Sequence, residues 1–278
     1  MPGQASIVLG VLSWNLFHGR DFPPGRELFT WRSRLLGSSE RSATHEQVNR
    51  PLRDEFAGWL AARDWDLALL QEAPPAWLRP LAERCGASGA LALSSRNAGA
   101  PARRLVARLN PDLIASNEGG SNQLLVRPPW HLEAVRRITL TRRPERRTML
   151  FAELDGPASL CVANLHATAS RGDSAAAPEV ERAAALAVEW ARGRPLVFGG
   201  DLNLRPASVP GLFDELRERH GLAAPTDSEA IDHLLVRDLD SIEAPRRLAS
   251  EERELRGRDG LAIRLSDHAP VVARFGMK

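Results

Sequence analysis

Eight short apolar runs of strand length recur along the chain, and their arrangement constrains the fold more than any other feature. They are "SIVLGVLSWNL" (6–16), "DLALLQE" (66–72), "NQLLVR" (122–127), "TMLFAEL" (148–154), "SLCVANLHA" (159–167), "PLVFGGDLN" (195–203), "IDHLLV" (231–236) and "APVVARF" (269–275). Helical patterns separate some of them. The stretch 44–64 opens with Thr44 and Gln47 at the spacing of a capping box, and Pro51 marks a kink or a later start. The stretch 177–193 carries Ala, Leu and Val at helical spacing and stops at Gly193, and 211–221 predicts a shorter third helix. The "DGPA" join between 148–154 and 159–167 reads as a hairpin. Strand–helix–strand units mixed with adjacent strands predict an α/β layered fold with antiparallel pairs. Without internal repeats or a Pro/Gly/Ser linker, the chain reads as a single domain over 1–278. Residues 18–43 have no clear period and read as a loop insertion, where long loops often serve function.

Composition sets limits on the class. With 43% hydrophobic and 26% charged residues the chain reads as a soluble globular protein. No apolar stretch is long enough to span a bilayer. The start "MPGQASIVLGVLSWN" lacks a basic leader and reads as a first strand, which favours the cytoplasm. Cys85 and Cys161, the only cysteines, cannot form a disulfide framework or a metal knuckle and read as two buried thiols. The net charge is +2, and all but one of the 37 basic residues are arginine, Lys278 being the exception. So skewed a usage makes arginine count a poor guide to function, and position matters more. Doublets at Arg103-Arg104, Arg136-Arg137, Arg142-Arg143 and Arg146-Arg147 read as a solvated surface or as a phosphate-facing patch.

The chemistry gathers where the strands end. Asn15 closes the first run, Glu72 the second and His166 the fifth. Asp201 and Asn203 follow Gly199-Gly200, Asp232 opens "IDHLLV", and Asp267-His268 precede the last run. Alternation along an extended chain puts Asp201 and Asn203 on one face, although an Asx turn accounts for the pair equally well. The two glycines permit close backbone approach just before it. Hard divalent cations such as Mg²⁺ or Mn²⁺ take oxygen ligands, which Asn15, Glu72 and Asp267 can supply. Phosphodiester hydrolysis needs an activated water and stabilised charge on phosphorus. Asp201 can orient or deprotonate the water, and Asn203 can hold it or donate to a phosphoryl oxygen. His166 and His268, if cationic, can bind phosphate oxygens, with Asp232 orienting His268.

The ordered set WN…QE…NLH…GDLN…IDH…SDHAP resembles the endonuclease/exonuclease/phosphatase superfamily from about Ile7 to Phe275. The superfamily includes pancreatic-type deoxyribonucleases, apurinic endonucleases, bacterial sphingomyelinases and inositol-polyphosphate 5-phosphatases. The resemblance implies a four-layer α/β sandwich, two mixed β-sheets flanked by helices, with the site at one edge of the sheets. It places Asn15, Glu72 and Asp267 at the metal site and Asp201 with Asn203 on the water-activating and transition-state pair. His268 falls on the phosphate-binding histidine, Asp232 on its orienting acid, and His166 on a second histidine of the deoxyribonuclease-like and sphingomyelinase-like branches. "GGSNQLLVR" (119–127) stands nearest the family's middle strand, so Asn122 takes a substrate-side asparagine position and Glu118 orients His166.

The expectation is therefore a Mg²⁺- or Mn²⁺-dependent phosphodiesterase, monomeric and without a membrane anchor, acting on nucleic acid as a nuclease. The alternatives are a phosphomonoesterase, a lipid-headgroup phosphodiesterase of the same fold, or a catalytically inactive binding module. The aromatics and arginines of 18–43 fit a lid, a nucleic-acid platform or a self-packed loop. A calcineurin-like metallophosphatase is excluded by the lack of an early Asp-x-His and a Gly-Asn-His motif.

Overall fold

All eight apolar runs form strands. The computed structural model describes residues 7–95, 97, 99–114, 119–143, 145–169, 176–223 and 226–277. The chain opens with β1 (Ile7–Asn15), then the short helix α1 (Trp31–Leu36) and a two-stranded ribbon of β2 (Glu40–Arg41) and β3 (Glu46–Gln47). Helix α2 (Arg53–Ala61), β4 (Leu67–Ala73), α3 (Leu78–Cys85), β5 (Ser88–Ser94), α4 (Ala100–Leu109) and β6 (Gly120–Val126) complete the first half. Next come β7 (His131–Thr141), β8 (Arg147–Asp155), β9 (Leu160–His166), α5 (Ala177–Ala191), β10 (Leu196–Asp201), α6 (Pro210–His220) and β11 (Asp232–Arg237). Strand β12 (Asp240–Arg247), a small pair of β13 (Glu254–Arg256) and β14 (Ala262–Arg264), and β15 (Val271–Met277) finish the chain.

Two mixed sheets carry the fold, in the orders β12-β15-β1-β4-β6-β5 and β11-β10-β9-β8-β7. Alternation along the strands builds three apolar layers. Leu9, Val11, Leu69 and Leu124 of the first sheet meet Leu150, Val162, Val197 and Leu234 of the second in a central core. The opposite face of the first sheet, with Leu12, Trp14 and Leu70, packs on α2 and α3 through Phe56, Leu60 and Leu81. The opposite face of the second, with Phe151, Ala163 and Phe198, packs on α5 and α6 through Val180, Ala184 and Leu216. This is the four-layer sandwich expected from sequence. The β8–β9 pair is antiparallel, as the "DGPA" join implied.

Several local expectations change. The 44–64 pattern is not one helix from Thr44. Residues 46–47 pair with β2, and α2 starts only at Arg53, after Pro51. Proline's missing N–H and fixed φ forbid the longer helix. The 18–43 segment is largely irregular but contains α1, capped by Thr30, whose Oγ1 accepts the Arg32 N–H at 3.2 Å. Strands β5, β7 and β12 and helices α3 and α4 had no clear signature. β7 mixes exposed and partly buried residues, β12 is exposed except at Pro245, and both read as polar surface.

Buried Asp21 fastens the insertion. Its Oδ2 accepts the Val48 N–H at 3.0 Å, and Oδ1 has no partner. Burial raises its pKa to about 7 from 3.8. The folded state therefore keeps a proton that the unfolded chain has released, and stability falls as pH rises from about 4 to about 7. An amide keeps the acceptor and removes the charge. Asp21→Asn is expected to be near neutral at pH 4 and to stabilise by on the order of 1 kcal/mol at pH 8. Thermal melts across that range check it, and an equal effect at both ends would contradict it.

Candidate active site

The two sheets end together at one edge, and strand register sets the row of polar side chains there. Asp201 of β10 lies opposite His166 of β9 on one side and Asp232 of β11 on the other. Asn15 ends β1 beside Gln71, and Glu72 is the next residue. Glu72 sits in a register shift of the β4–β6 pair with φ +47, so a bulge re-aims its carboxylate. Among the described residues, five of the eight non-glycine positions at positive φ gather here: Phe17, His18, Glu72, Asn203 and Ser266. Strained backbone concentrates at functional sites.

Asp201 is the hub. Its Oδ2 accepts from Asn15 Nδ2 at 2.9 Å, and the Nε2 atoms of His166 and His268 lie 3.5 and 3.8 Å away. Burial lifts its pKa to about 7. Its other oxygen accepts the Asn203 N–H at 3.1 Å, and the Asn203 side chain donates to the Ala167 carbonyl at 3.1 Å. The strand stops at Asp201, and Asn203 has φ +51. An Asx-type turn, not strand alternation, therefore aims Asn203. Gly200 permits the close approach, with φ +127 and an added Cβ only 1.9 Å from the Leu165 carbonyl oxygen.

His268 Nδ1 and Asp232 Oδ2 are 2.8 Å apart. Burial alone would lower the His268 pKa, but Asp232 and Asp201 lift it well above the ordinary value, so this imidazole is cationic. Ser266 fixes the loop that presents it: its Oγ donates to the Asn15 carbonyl at 2.6 Å and accepts the His268 N–H at 3.1 Å. Trp14 Nε1 donates to the His268 carbonyl at 2.9 Å. His166 behaves differently. Burial and then Arg147 push its pKa well below the ordinary value, so it is neutral and the expectation of two cationic imidazoles holds for His268 alone. Buried Arg147, with Nη1 3.2 Å from His166 Nδ1, supplies the positive charge on that side.

Glu72 and Asp267 form the oxygen-donor pair. Burial and then the neighbouring Asp267 raise the Glu72 pKa to about 7. The ion-pair partners of these two acids among the described residues are imidazoles: His18 at 3.4 Å and His166 at 3.9 Å from Glu72, and His268 at 3.9 Å from Asp267. Two crowded carboxylates with no arginine in ion-pair contact among the described residues, and Arg147 acting on Glu72 only at longer range, suit a hard divalent cation. Asn15 Oδ1 accepts the Phe17 N–H at 2.9 Å while its amide nitrogen holds Asp201. Asp201, Asp232 and His268 also offer donor atoms within 4.8 Å of one another. A cationic His268 that is already bonded to Asp232 makes that trio the poorer cation site.

Asn122 lies apart. It is fully buried and donates to the Thr148 carbonyl at 2.7 Å, pinning β6 to β8. Glu118 falls outside the described residues. Sequence reasoning passed over His18, Arg147, Gln71 and Asn164. Gln71 Nε2 donates to Asn164 Oδ1 at 2.8 Å, and Asn164 Nδ2 donates to the carbonyls of Leu70 and Gln123, so a polar seam joins the sheets beneath the site. Amides inside otherwise apolar runs, "ALLQE" and "VANLH", were the available signal.

A carboxylate with a pKa raised to about 7, an imidazole held well above its ordinary pKa and two neighbouring acids meet at this edge, groups of the kind that phosphoester hydrolysis uses as negative charge builds on phosphorus. The chain belongs to the Endonuclease/Exonuclease/phosphatase family, whose model matches residues 12–268, and members of that family depend on divalent metal. Similar solved structures share the fold at low identity. A family protein from Bacteroides thetaiotaomicron has 16% identity and a TM-score of 0.64, over 98% of this chain and 96% of that one. The mannosyl-6-phosphatase Bt3783 of the same organism has 16% identity and a TM-score of 0.63, over 96% and 99%. The human Nocturnin catalytic domain, solved with a bound sulfate anion, has 16% identity and a TM-score of 0.63, over 98% and 95%. No curated protein matches the chain in sequence.

Proposed function

We propose that the protein is a divalent-metal-dependent phosphodiesterase acting on nucleic acid. The convergence of Asn15, His166 and His268 on Asp201 Oδ2 carries this reading. A carboxylate with a pKa near 7 suits proton abstraction from water at neutral pH. Asn15 orients Asp201, and Asn203, aimed by the turn, positions the water. His268, kept cationic by Asp232, faces the phosphoryl oxygens. Arg147 adds charge behind neutral His166. Glu72 and Asp267 would hold the cation, which when bound polarises the phosphoryl group.

Two clefts carry arginines. Asp232, Asp267 and His268 line one of about 810 Å³, where Arg205, Arg246, Arg247 and Arg253 are matched by these two acids with Asp227 and Glu229. A second, of about 740 Å³, is lined by Arg50, Arg53, Arg104, Arg108, Arg256 and Arg258 against only two acids, Asp54 and Glu55. Guanidinium groups match backbone phosphates. A lipid-headgroup diester is the second reading, favoured by the exposed apolar side chains of residues 22–36 and 105–113.

The test incubates the protein with plasmid DNA, RNA, a lysophospholipid headgroup diester and phosphomonoesters, each with Mg²⁺, Mn²⁺ or EDTA. The expected result is metal-dependent chain cleavage that EDTA abolishes. Release of inorganic phosphate from monoesters with every diester intact would overturn the diesterase reading.

A further inference from the structure

Eleven large apolar side chains are exposed among the described residues, and eight of them fall in two short segments, 22–36 and 105–113. These segments are neighbours in space. Asn49 Nδ2 donates to the Ser33 carbonyl and to Asn110 Oδ1, and Asn110 Nδ2 donates to the Arg34 carbonyl at 2.9 Å. A Cβ at Gly37, just after α1, would lie 3.7 Å from the Leu109 carbonyl oxygen. The last turns of α1 and α4 therefore sit side by side. Together they raise a crest of Trp31, Leu35, Leu36, Leu105, Leu109 and Leu113, with Leu109 reaching 77% exposure.

The polar composition of the crest is one-sided. The sixteen residues of α1 and α4 include Arg32, Arg34, Arg103, Arg104 and Arg108 and no acid. Short basic helices with exposed leucine and tryptophan interspersed with arginine suit an anionic lipid surface. A second copy of this chain would set five arginines against five. Nucleic acid stacks on aromatic rings, whereas five of the six crest side chains are leucines, with the rings of Phe22 and Phe29 beside them. The crest is also continuous with the site's edge. Phe17 packs on Phe22 at 5.7 Å and Phe22 on Phe29 at 5.1 Å, a ladder running from beside Asn15 to the start of α1.

We propose that the crest formed by α1 and α4 docks the protein on an anionic lipid surface, with the leucines and Trp31 entering the headgroup region and the arginines on the phosphates. The sequence shows no apolar hairpin for such a role because the apolar residues come from two separated segments that only the fold unites. Docking is independent of the chemistry at Asp201, so the phosphodiesterase reading can stand or fall without it.

The test is flotation of the full chain with phosphatidylcholine vesicles containing none or about 30% phosphatidylglycerol, at low salt and at about 0.5 M NaCl. The expected result is binding to the anionic vesicles alone, weakened by salt. Leu105→Ser/Leu109→Ser and Leu35→Ser/Leu36→Ser should each bind at least about tenfold more weakly. Turnover of bis(p-nitrophenyl) phosphate and the melting temperature should stay at wild-type values, because these side chains touch neither core nor site. Absence of flotation by the wild type, or flotation that both double variants keep, would overturn the proposal. So would a concentration-dependent dimer that the leucine variants dissolve, since the crest would then be covered by a second copy.

Discussion

Replacing Asp201 by alanine is expected to lower metal-dependent phosphodiester hydrolysis by on the order of 10³-fold, the scale of losing a general base. The expectation rests on position. One oxygen of Asp201 meets Asn15, His166 and His268, and the other fixes Asn203 through the turn. Alanine removes the base and both orienting contacts. Asp201→Asn is the more informative variant, because an amide keeps the shape and takes no proton at neutral pH. It should lose a similar factor while melting no lower than wild type, since a buried carboxylate with a pKa raised to about 7 is a liability once ionised. Steady-state kinetics and a thermal melt on the same preparation check both statements. If Asp201→Asn kept activity within about fivefold of wild type, the proton would be going elsewhere.

The second large effect concerns folding. Gly200→Ala should destabilise by more than about 3 kcal/mol, a large share of the roughly 5–15 kcal/mol that keeps a domain folded. An added Cβ would lie 1.9 Å from the Leu165 carbonyl oxygen, and φ is +127. Alanine can neither adopt that backbone cheaply nor fit against the ladder that binds β9 to β10. Gly211 in α6 is the control: nothing lies within 4 Å of its Cβ position. Gly211→Ala should be neutral or stabilise by up to about 1 kcal/mol. Urea unfolding of the two variants checks the contrast, and equal midpoints would refute the clash argument.

Much of this was legible in the sequence, for physical reasons that differ from part to part. The eight core strands were readable because burial on both faces leaves uninterrupted apolar runs such as "LVF" and "LCVA". The residues at their ends were readable because a carboxylate or imidazole closing such a run is costly unless something uses it. The edges were not. β12 sits at the rim of its sheet, and its charges Glu243, Arg246 and Arg247 look like loop. Thr44 and Gln47 imitated a capping box because local spacing carries no information about Pro51's effect on the chain before it. Arg147 was read within a doublet as solvated surface or phosphate-facing patch, and it is buried against His166. Electrostatics were the least legible: identical letters, His166 and His268, are shifted in opposite directions because burial and then Arg147 lower the one while Asp232 and Asp201 overcome burial at the other.

The shared row of His166, Asp201 and Asp232 across β9, β10 and β11 has a further consequence. Their backbone spacing is indexed by ladder hydrogen bonds, like teeth on a comb, and not by the packing of any loop. The segments that differ most in character, 18–43 with α1 and the stretch around α4, hang outside that comb. They can be lengthened, recharged or exchanged without moving a tooth. The outlying parts of these segments can therefore change in this molecule at a different rate from the row of site residues itself.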